Sequence, residues 1–457
     1  MKRRDALKTI GTLAGAATMS RFLPACGGDD GPEGITTIVA MMMENRSFDH
    51  FMGSRSLLEG KNEDGLTQSS PPLPDVNGTL IPWWPATMDT MCVIDPPHSW
   101  GPQHASFDGG KCDQFIVQHQ MAHSSTTAIE PVQYLLRDQV PTSYALADAY
   151  AHCNRWFCSV MGPTYPNRYF WHSGQSNGIM DNTIPKVVWT SIYDRLNAAG
   201  VDWAYYYGDL PVLSLLGPAA DGHIKRFEDF AKDAAAGKLP PVVYIDPSFS
   251  LNDDHPPHHP SAGQMLIGAV YAALAQSPQW KNILFVLTYD ENGGFADHVA
   301  PPKTADDRAA DGFDQLGFRV PTFVIGPYVK EGYVSNTVFD HTSVLKHIET
   351  MFDLEPLGMH DGAANDLMDC IDMDRLAKHD WRKPVDVPMV TIDESALPPQ
   401  CMAGSSGVAD YHHDILEWAD ANPELLRGWD RRGDLRSYIE CIDSLVKPHG
   451  GGVRWGK

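Results

Sequence analysis

Short apolar runs alternate along this chain with stretches in which apolar residues recur every three or four positions. The runs predict strands over residues 37–43, 203–207, 242–245, 283–288 and 321–325, and the helical spacing predicts helices over 190–199 and 264–276. The first run is short enough that a helical segment would read the same way. Strands alternating with helices predict an α/β fold, a mostly parallel sheet covered on both faces. Residues 62–102 break the pattern: rich in Pro, Gly and Trp, with "PPLP" and "IPWWPATMD", they predict an irregular excursion of the kind that shapes a site or stays disordered. From residue 354 the composition changes to scattered Met, Pro and acidic residues, followed by a helical pattern over 411–445. The expected organisation is a leader over 1–26, a main domain over 27–353 and an extension over 354–457 packed on that domain.

Two of the apolar runs end alike. Residues 37–43 lead into Glu44-Asn45, with Arg46, Ser47 and Asp49 beside them, and residues 283–288 lead into Asp290-Glu291 before the turn Asn292-Gly293-Gly294. Open parallel sheets bind ligands outside the carboxyl ends of their strands, so two neighbouring strands would bring Glu44, Asn45, Asp290 and Glu291 to one edge. Carboxylates gathered there repel one another unless a cation sits between them. An all-oxygen set suits calcium, magnesium or manganese, whereas zinc more often recruits imidazole. Either pair alone reads equally as solvated strand-end residues.

Thr164 stands between Pro163 and Tyr165-Pro166 at a predicted loop-to-helix junction. The free N–H groups and partial positive charge of a helix amino terminus suit a phosphate. Its hydroxyl is a helix cap on one reading, and on the other a nucleophile once a metal or base activates it. Among 19 histidines, His98, His255, His298 and His341 lie in segments rich in polar partners. His255 follows Asp253-Asp254 in a Pro-rich loop, while His258 and His259 read as solvent-facing.

Composition narrows the functional classes. The 457 residues are 43% hydrophobic, enough for one large core or a core plus a smaller unit. A formal net charge of −23 without clustered Lys and Arg excludes a general nucleic-acid binder, and a polyanionic substrate would have to be met locally. Arg3-Arg4, Leu7 and Lys8 before a Gly/Ala-rich apolar stretch resemble a twin-arginine export signal, and that stretch is short for a membrane span. "LPAC" resembles a lipoprotein cleavage box, with Pro24 an unusual occupant, so the expected location is the periplasm or cell surface with a lipid anchor at Cys26. The other seven cysteines allow up to three disulfides and a free thiol in an oxidising compartment, with connectivity open. Trp83, Trp84, Trp100, Trp203, Tyr205, Tyr206 and Tyr207 read as core or as a cage for a quaternary ammonium such as choline.

The ordered blocks "MMMENRSFDHFMG", "DPPHSW", "GGKCDQF", "MGPTYPNR", "NDDHPP", "TYDENGGFADHVAPP" and "FDHTSVLKHIE" resemble the bacterial phosphoesterase family of non-specific phospholipases C and related acid phosphatases, within the alkaline-phosphatase superfamily. The resemblance covers residues 36–353. It implies a three-layer α/β/α sandwich and phosphoryl transfer through a covalent phospho-enzyme that depends on one divalent metal ion. It also implies that Glu44, Asn45, Asp290 and Glu291 hold the metal, with Thr164 as nucleophile and further ligand. By the same resemblance His98 and His255 contact phosphoryl oxygens or serve the leaving group, and His298 supports the site. Arg46 and Asp49 would stand behind the ligands, and His341 would brace the fold. Asn292 stands where many relatives have His, so no proton transfer is assigned there. A phosphate-ester or phospholipid substrate is expected, with an acid phosphatase or a non-catalytic exported binding protein as the other readings. No C-x-P-x-R signature of a sulfatase is present.

Overall fold

In the computed structural model the residues described are 34–185, 189–213, 222–393, 401 and 431–454, the last without side chains over 431–434. The expected leader with Cys26, and residues 411–430 of the predicted helical pattern, lie outside the described residues.

Strand β1 (Thr37–Met43) is buried along its whole length, as an apolar run at the centre of a covered sheet must be. It feeds α1 (Phe48–Glu59), where Ser47 caps the amino terminus by accepting from the His50 N–H. The sheet is completed by β2 (Ala151–Cys153), β3 (Trp203–Tyr207), β4 (Ile224–Arg226), β5 (Val242–Asp246), β6 (Ile283–Tyr289), β7 (Phe323–Ile325) and β8 (Tyr333–Ser335). Their order is β8-β2-β7-β6-β1-β5-β3-β4. The five strands from β6 to β4 are parallel, and β7 runs antiparallel to both β6 and β2. The mostly parallel sheet expected from the alternation is therefore present. The run over 321–325 shortens to three residues and turns out to be the antiparallel member. Strands β2, β4 and β8 were not predicted, because three residues are too few to show alternation.

The helices flank this sheet in two groups. Helices α4 (Pro141–Ala149), α7 (Phe227–Ala235), α8 (Pro260–Ala275) and α10 (Arg431–Val446) pack together, as do α5 (Thr164–Ser173), α6 (Ile192–Ala199) and α9 (Thr342–Phe352). Helix α8 is apolar nearly all round because α10 lies against it, as a helix buried on every side requires. Helix α6 begins at a capping box in which Ser191 and Asp194 satisfy each other's backbone N–H groups.

Between α1 and α4 the excursion over 62–102 carries two-residue strands, one of which, Trp84–Pro85, pairs with Gln133–Tyr134, and runs into α2 (Trp100–Phe107), which α3 (Phe115–Ala122) follows. Leu73, Cys112, Phe115, Ile116 and Val132 of this segment form a small core with Ala296 and Phe318 from beyond β6, against which Trp83 and Trp84 pack. A Cys92–Cys401 disulfide ties it to the chain beyond the sheet. Among the described residues this is the one bridge, and Cys112, Cys153, Cys158, Cys370 and Cys441 are thiols. Among the described residues no helix is long and apolar enough to cross a membrane.

Candidate active site at the carboxyl edge of the sheet

The register of β1 on β6 pairs Met43 with Tyr289, so the two strands end level and Glu44 emerges beside Asp290. The Asp290 N–H donates to the Met43 carbonyl at 3.0 Å, and the Asn45 N–H to Asp290 Oδ1 at 3.1 Å. Glu44, Asn45, Asp290 and Glu291 are all fully buried. Asn45 adopts a left-handed conformation (φ 59°), which an Asn tolerates better than most residues, and this turns its side chain among the carboxylates. With its amide nitrogen toward them, Asn45 donates to Asp290 Oδ1 and Glu291 Oε1 at 3.1 Å each, and its oxygen accepts from His255 Nε2 at 2.8 Å.

The electrostatics of this cluster call for a cation. Burial and the neighbouring Asp290 raise the Glu44 carboxyl well above the usual range, against the pull of Arg168. Burial likewise raises Asp290, and burial with Asp290 raises Glu291. Asp290 Oδ2 is buried without a hydrogen-bond partner, an orphaned oxygen of the kind a bound ion satisfies. These residues fit a hard divalent metal.

Two histidines face the cluster. His98 Nδ1 donates to the Pro96 carbonyl at 2.7 Å and His255 Nδ1 to the Pro256 carbonyl at 2.6 Å, which directs each Nε2 toward Asn45. The His98 Nε2 lies 3.7 Å from Glu291 Oε1, and the two rings are 5.6 Å apart. Asp95, His98 and His255 place ligand atoms within 4.8 Å of one another and could also hold a metal ion.

Thr164 is the first residue of α5 and is 4% exposed, so its hydroxyl sits at a helix amino terminus nearly closed to bulk water. Two links bracket it against the carboxylates. One turn along α5, Arg168 donates through Nε and Nη2 to Glu44 Oε1 at 3.1 and 2.9 Å, and through Nη1 to Asp246 Oδ1 at 3.0 Å. Two residues before Thr164, the Gly162 carbonyl accepts from Gln103 Nε2, which also donates to Glu291 Oε2 at 3.0 Å. Asn167 holds the intervening loop by donating to the Gly162 and Pro163 carbonyls while accepting from the Val160 N–H.

The remaining sequence candidates take other places. His298 is held by Asp49, with Nδ1 2.6 Å from Asp49 Oδ2, in a group with Arg319, Asp297 and Asp64, and forms no hydrogen bond to the four strand-end residues or Thr164. Burial lowers the His298 pKa, but Asp49 outweighs it and the net shift is upward. His341 Nε2 donates to the Asp290 carbonyl at 2.6 Å, and burial lowers its pKa to about 4, so it braces the backbone as a neutral ring. Arg46 is buried, donating to the Asp254 and His258 carbonyls. His258 and His259 are buried, not solvent-facing: His258 pairs with Asp253 at 2.6 Å, and His259 caps α8. The aromatics predicted as core or cage are tied into packing: Trp203 stacks on His223, Tyr206 bonds Asp233, and Tyr205 bonds Asp246. Sequence reasoning missed Asp95, Asp246, Gln103 and Arg168; Asp95 and Arg168 stood within quoted blocks, Asp95 opening "DPPHSW" and Arg168 four residues from Thr164.

A buried carboxylate cluster, a helix-terminal hydroxyl and two oriented imidazoles meet at the carboxyl edge of an α/β sheet and form a candidate site for the hydrolysis of phosphoric esters. Residues 35–355 match the model of the Phosphoesterase family, and the chain belongs to that family. It is 33% identical over 371 residues to non-specific phospholipase C1 of Arabidopsis thaliana, covering 70% of this chain and 67% of that protein. It is 31% identical over 359 residues to non-specific phospholipase C6 of the same plant, covering 70% and 68%. Phospholipase C A of Mycobacterium tuberculosis is 29% identical over 443 residues, covering 80% and 84%. Among solved structures, a protein of the alkaline phosphatase superfamily from Vibrio parahaemolyticus aligns with a TM-score of 0.36 and 9% identity over 80% of this chain and 79% of that one. As a hydrolase of phosphoric ester bonds, the chain is not the non-catalytic binding protein of the alternative reading.

Proposed function

We propose that this protein is a metal-dependent phosphodiesterase of the phospholipase C type, acting on phospholipids or phosphocholine esters through a phosphothreonine at Thr164. The observation that carries the reading is the double bracket, Arg168 to Glu44 and Gln103 to Glu291, which docks the amino terminus of α5 on the buried carboxylates. Glu44, Asp290 and Glu291 would hold a calcium, magnesium or manganese ion, with Asn45, once its amide turns its oxygen rather than its nitrogen to the carboxylates, and the Thr164 hydroxyl as further ligands. Such an ion supplies Lewis-acid charge neutralisation and a lowered pKa for a bound hydroxyl.

The chain's own groups do the rest. The Thr164 hydroxyl releases its proton to solvent and its oxygen attacks phosphorus as the ester bond to the leaving alcohol breaks. Of the N–H groups expected to meet the phosphate at the start of α5, that of Tyr165 donates to Asn182 Oδ1 at 2.8 Å and Pro166 has none. His98 or His255 delivers a proton from Nε2 to the departing alkoxide, since Nδ1 of each is committed to a carbonyl. Water then attacks the phosphothreonine, which still carries the head-group ester of a diester substrate; the P–O bond to Thr164 breaks, the head-group phosphate leaves, the threonine oxygen regains a proton from solvent, and the same imidazole takes up the proton that the water releases. His298, held on Asp49, steadies the strand-end turn from behind.

A broad acid phosphatase is the second reading. It is favoured by the burial of Trp203, Tyr205 and Tyr206 in packing and by the attachment of Trp83 and Trp84 to the small core of Leu73 and Phe318, which leaves no cage built from them. The test compares p-nitrophenyl phosphorylcholine with p-nitrophenyl phosphate before and after chelation and metal re-addition. Preference for the diester, lost on chelation and restored by one ion, is the expected result; preference for the monoester moves the assignment to the phosphatase. The same proposal has the protein exported by the twin-arginine route and anchored through lipid at Cys26, which mass analysis of the mature amino terminus tests.

A further inference from the structure

One side chain outside the predicted set joins three parts of the site. Gln103 lies on α2, delivered by the excursion, and is 1% exposed. Its Nε2 donates to the His98 carbonyl at 2.7 Å, to the Gly162 carbonyl at 2.9 Å and to Glu291 Oε2 at 3.0 Å. Two hydrogens thus serve three acceptors from three separate segments: the loop of His98, the loop entering α5 and the end of β6. Its Oε1 is buried without a partner, so the amide's orientation is set by the donor side alone, at a cost that native structures bear mainly where function requires it.

We propose that Gln103 is a positioning residue for the metal-holding carboxylate Glu291 and for the loop that presents Thr164; this rests on the function proposed above. The physical reason lies in how Glu291 is shared. Its Oε2 accepts from Gln103 Nε2 and from the Gly293 N–H at 2.8 Å, which turns Oε1 toward the Asn45 amide. Without the Gln103 donor, a carboxylate in a dry cluster of like charges keeps only the Gly293 N–H on Oε2 to hold it in that rotamer. The same amide sets the distance between Glu291 and Gly162, and hence between the carboxylates and the nucleophile's loop. Groups behind a metal ligand typically change affinity by about 10–100-fold when removed.

The test titrates the full-length protein with manganese(II), reading the free ion by electron paramagnetic resonance, in wild type, Gln103→Met and Gln103→Glu. Methionine keeps the length and removes both donors, whereas glutamate keeps the shape and sets an oxygen against three acceptors, so either variant suffices if the other does not fold. The expected result is manganese binding weakened by about 10–100-fold in the folded variant, with the metal-free unfolding midpoint lowered by the loss of a buried donor. In turnover of p-nitrophenyl phosphorylcholine at saturating manganese, kcat should fall while KM stays near wild type. Affinity within about twofold of wild type in a folded variant overturns the proposal, whatever happens to stability. Wild type that binds no manganese overturns the metal-holding reading together with this one, whereas wild-type binding matched by the variants overturns this one alone.

Discussion

Replacing Arg168 with methionine should expose how the site is held together. The guanidinium is fully buried, bonded to Glu44 and Asp246, and lies 4.9 Å over the Phe249 ring. Burial alone would lower its pKa, but Asp246 and Glu44 outweigh that effect and keep it charged. Methionine fills much of the volume and leaves two buried carboxylates without their cation. Removing one partner of a buried pair costs about 3–5 kcal/mol, because the remaining charge stays desolvated. One arginine here serves two carboxylates, while Tyr205 still donates to Asp246, so the upper half of that range is expected for the metal-free protein. Urea unfolding with a chelator present measures the loss. Glu44→Gln in the Arg168→Met background removes one stranded charge and should recover about 1–3 kcal/mol relative to the sum of the single changes. A loss under about 1 kcal/mol for Arg168→Met, or strictly additive single and double variants, would refute the claim that this pair neutralises the carboxyl edge.

Two further outcomes follow from buried chemistry outside the cluster. His360 is buried with Nδ1 2.8 Å from Asp306 and Nε2 3.6 Å from Asp340; burial opposes its charge, but Asp340 and Asp306 prevail and raise its pKa to about 9. A raised histidine stabilises fully below its unfolded pKa and ceases to do so as pH rises through about 9. His360→Gln should therefore destabilise by on the order of 3 kcal/mol at pH 6 and by much less above pH 9, read as unfolding midpoints across pH; an equal loss at both ends would contradict it. Reducing Cys92–Cys401, which spans 309 positions, should lower stability by up to about 5–6 kcal/mol on loop-entropy grounds, measured as the denaturation midpoint with and without reductant.

The strand ends were legible because β1 and β6 are buried on both faces, so the sequence loses its polar residues until the strand stops at Glu44 and Asp290. Their pairing was not legible, since register depends on contacts between segments some 245 positions apart. Asp95 stood in a quoted block without a role, and Gln103 just beyond the excursion was missed, because a segment of two-residue strands and a short helix has no period to read. His258 and His259 were misread for a related reason: a Pro-rich loop looks exposed, but Asp253 pairs with His258 and the loop closes over α8. The aromatic run at β3 read as cage or core, and the sheet decides for core through Trp203, Tyr205 and Tyr206.

The central claim is that Thr164 carries the phosphoryl group, and acid quenching during turnover of p-nitrophenyl phosphorylcholine, which leaves its phosphate on the nucleophile as the choline ester, followed by peptide mass analysis tests it most directly. The account predicts phosphate on the peptide containing Thr164, its absence in Thr164→Ala, and a fall in turnover by on the order of 10⁴ or more in that variant with folding intact. Near-normal turnover by Thr164→Ala, or phosphate trapped on another residue, would contradict it.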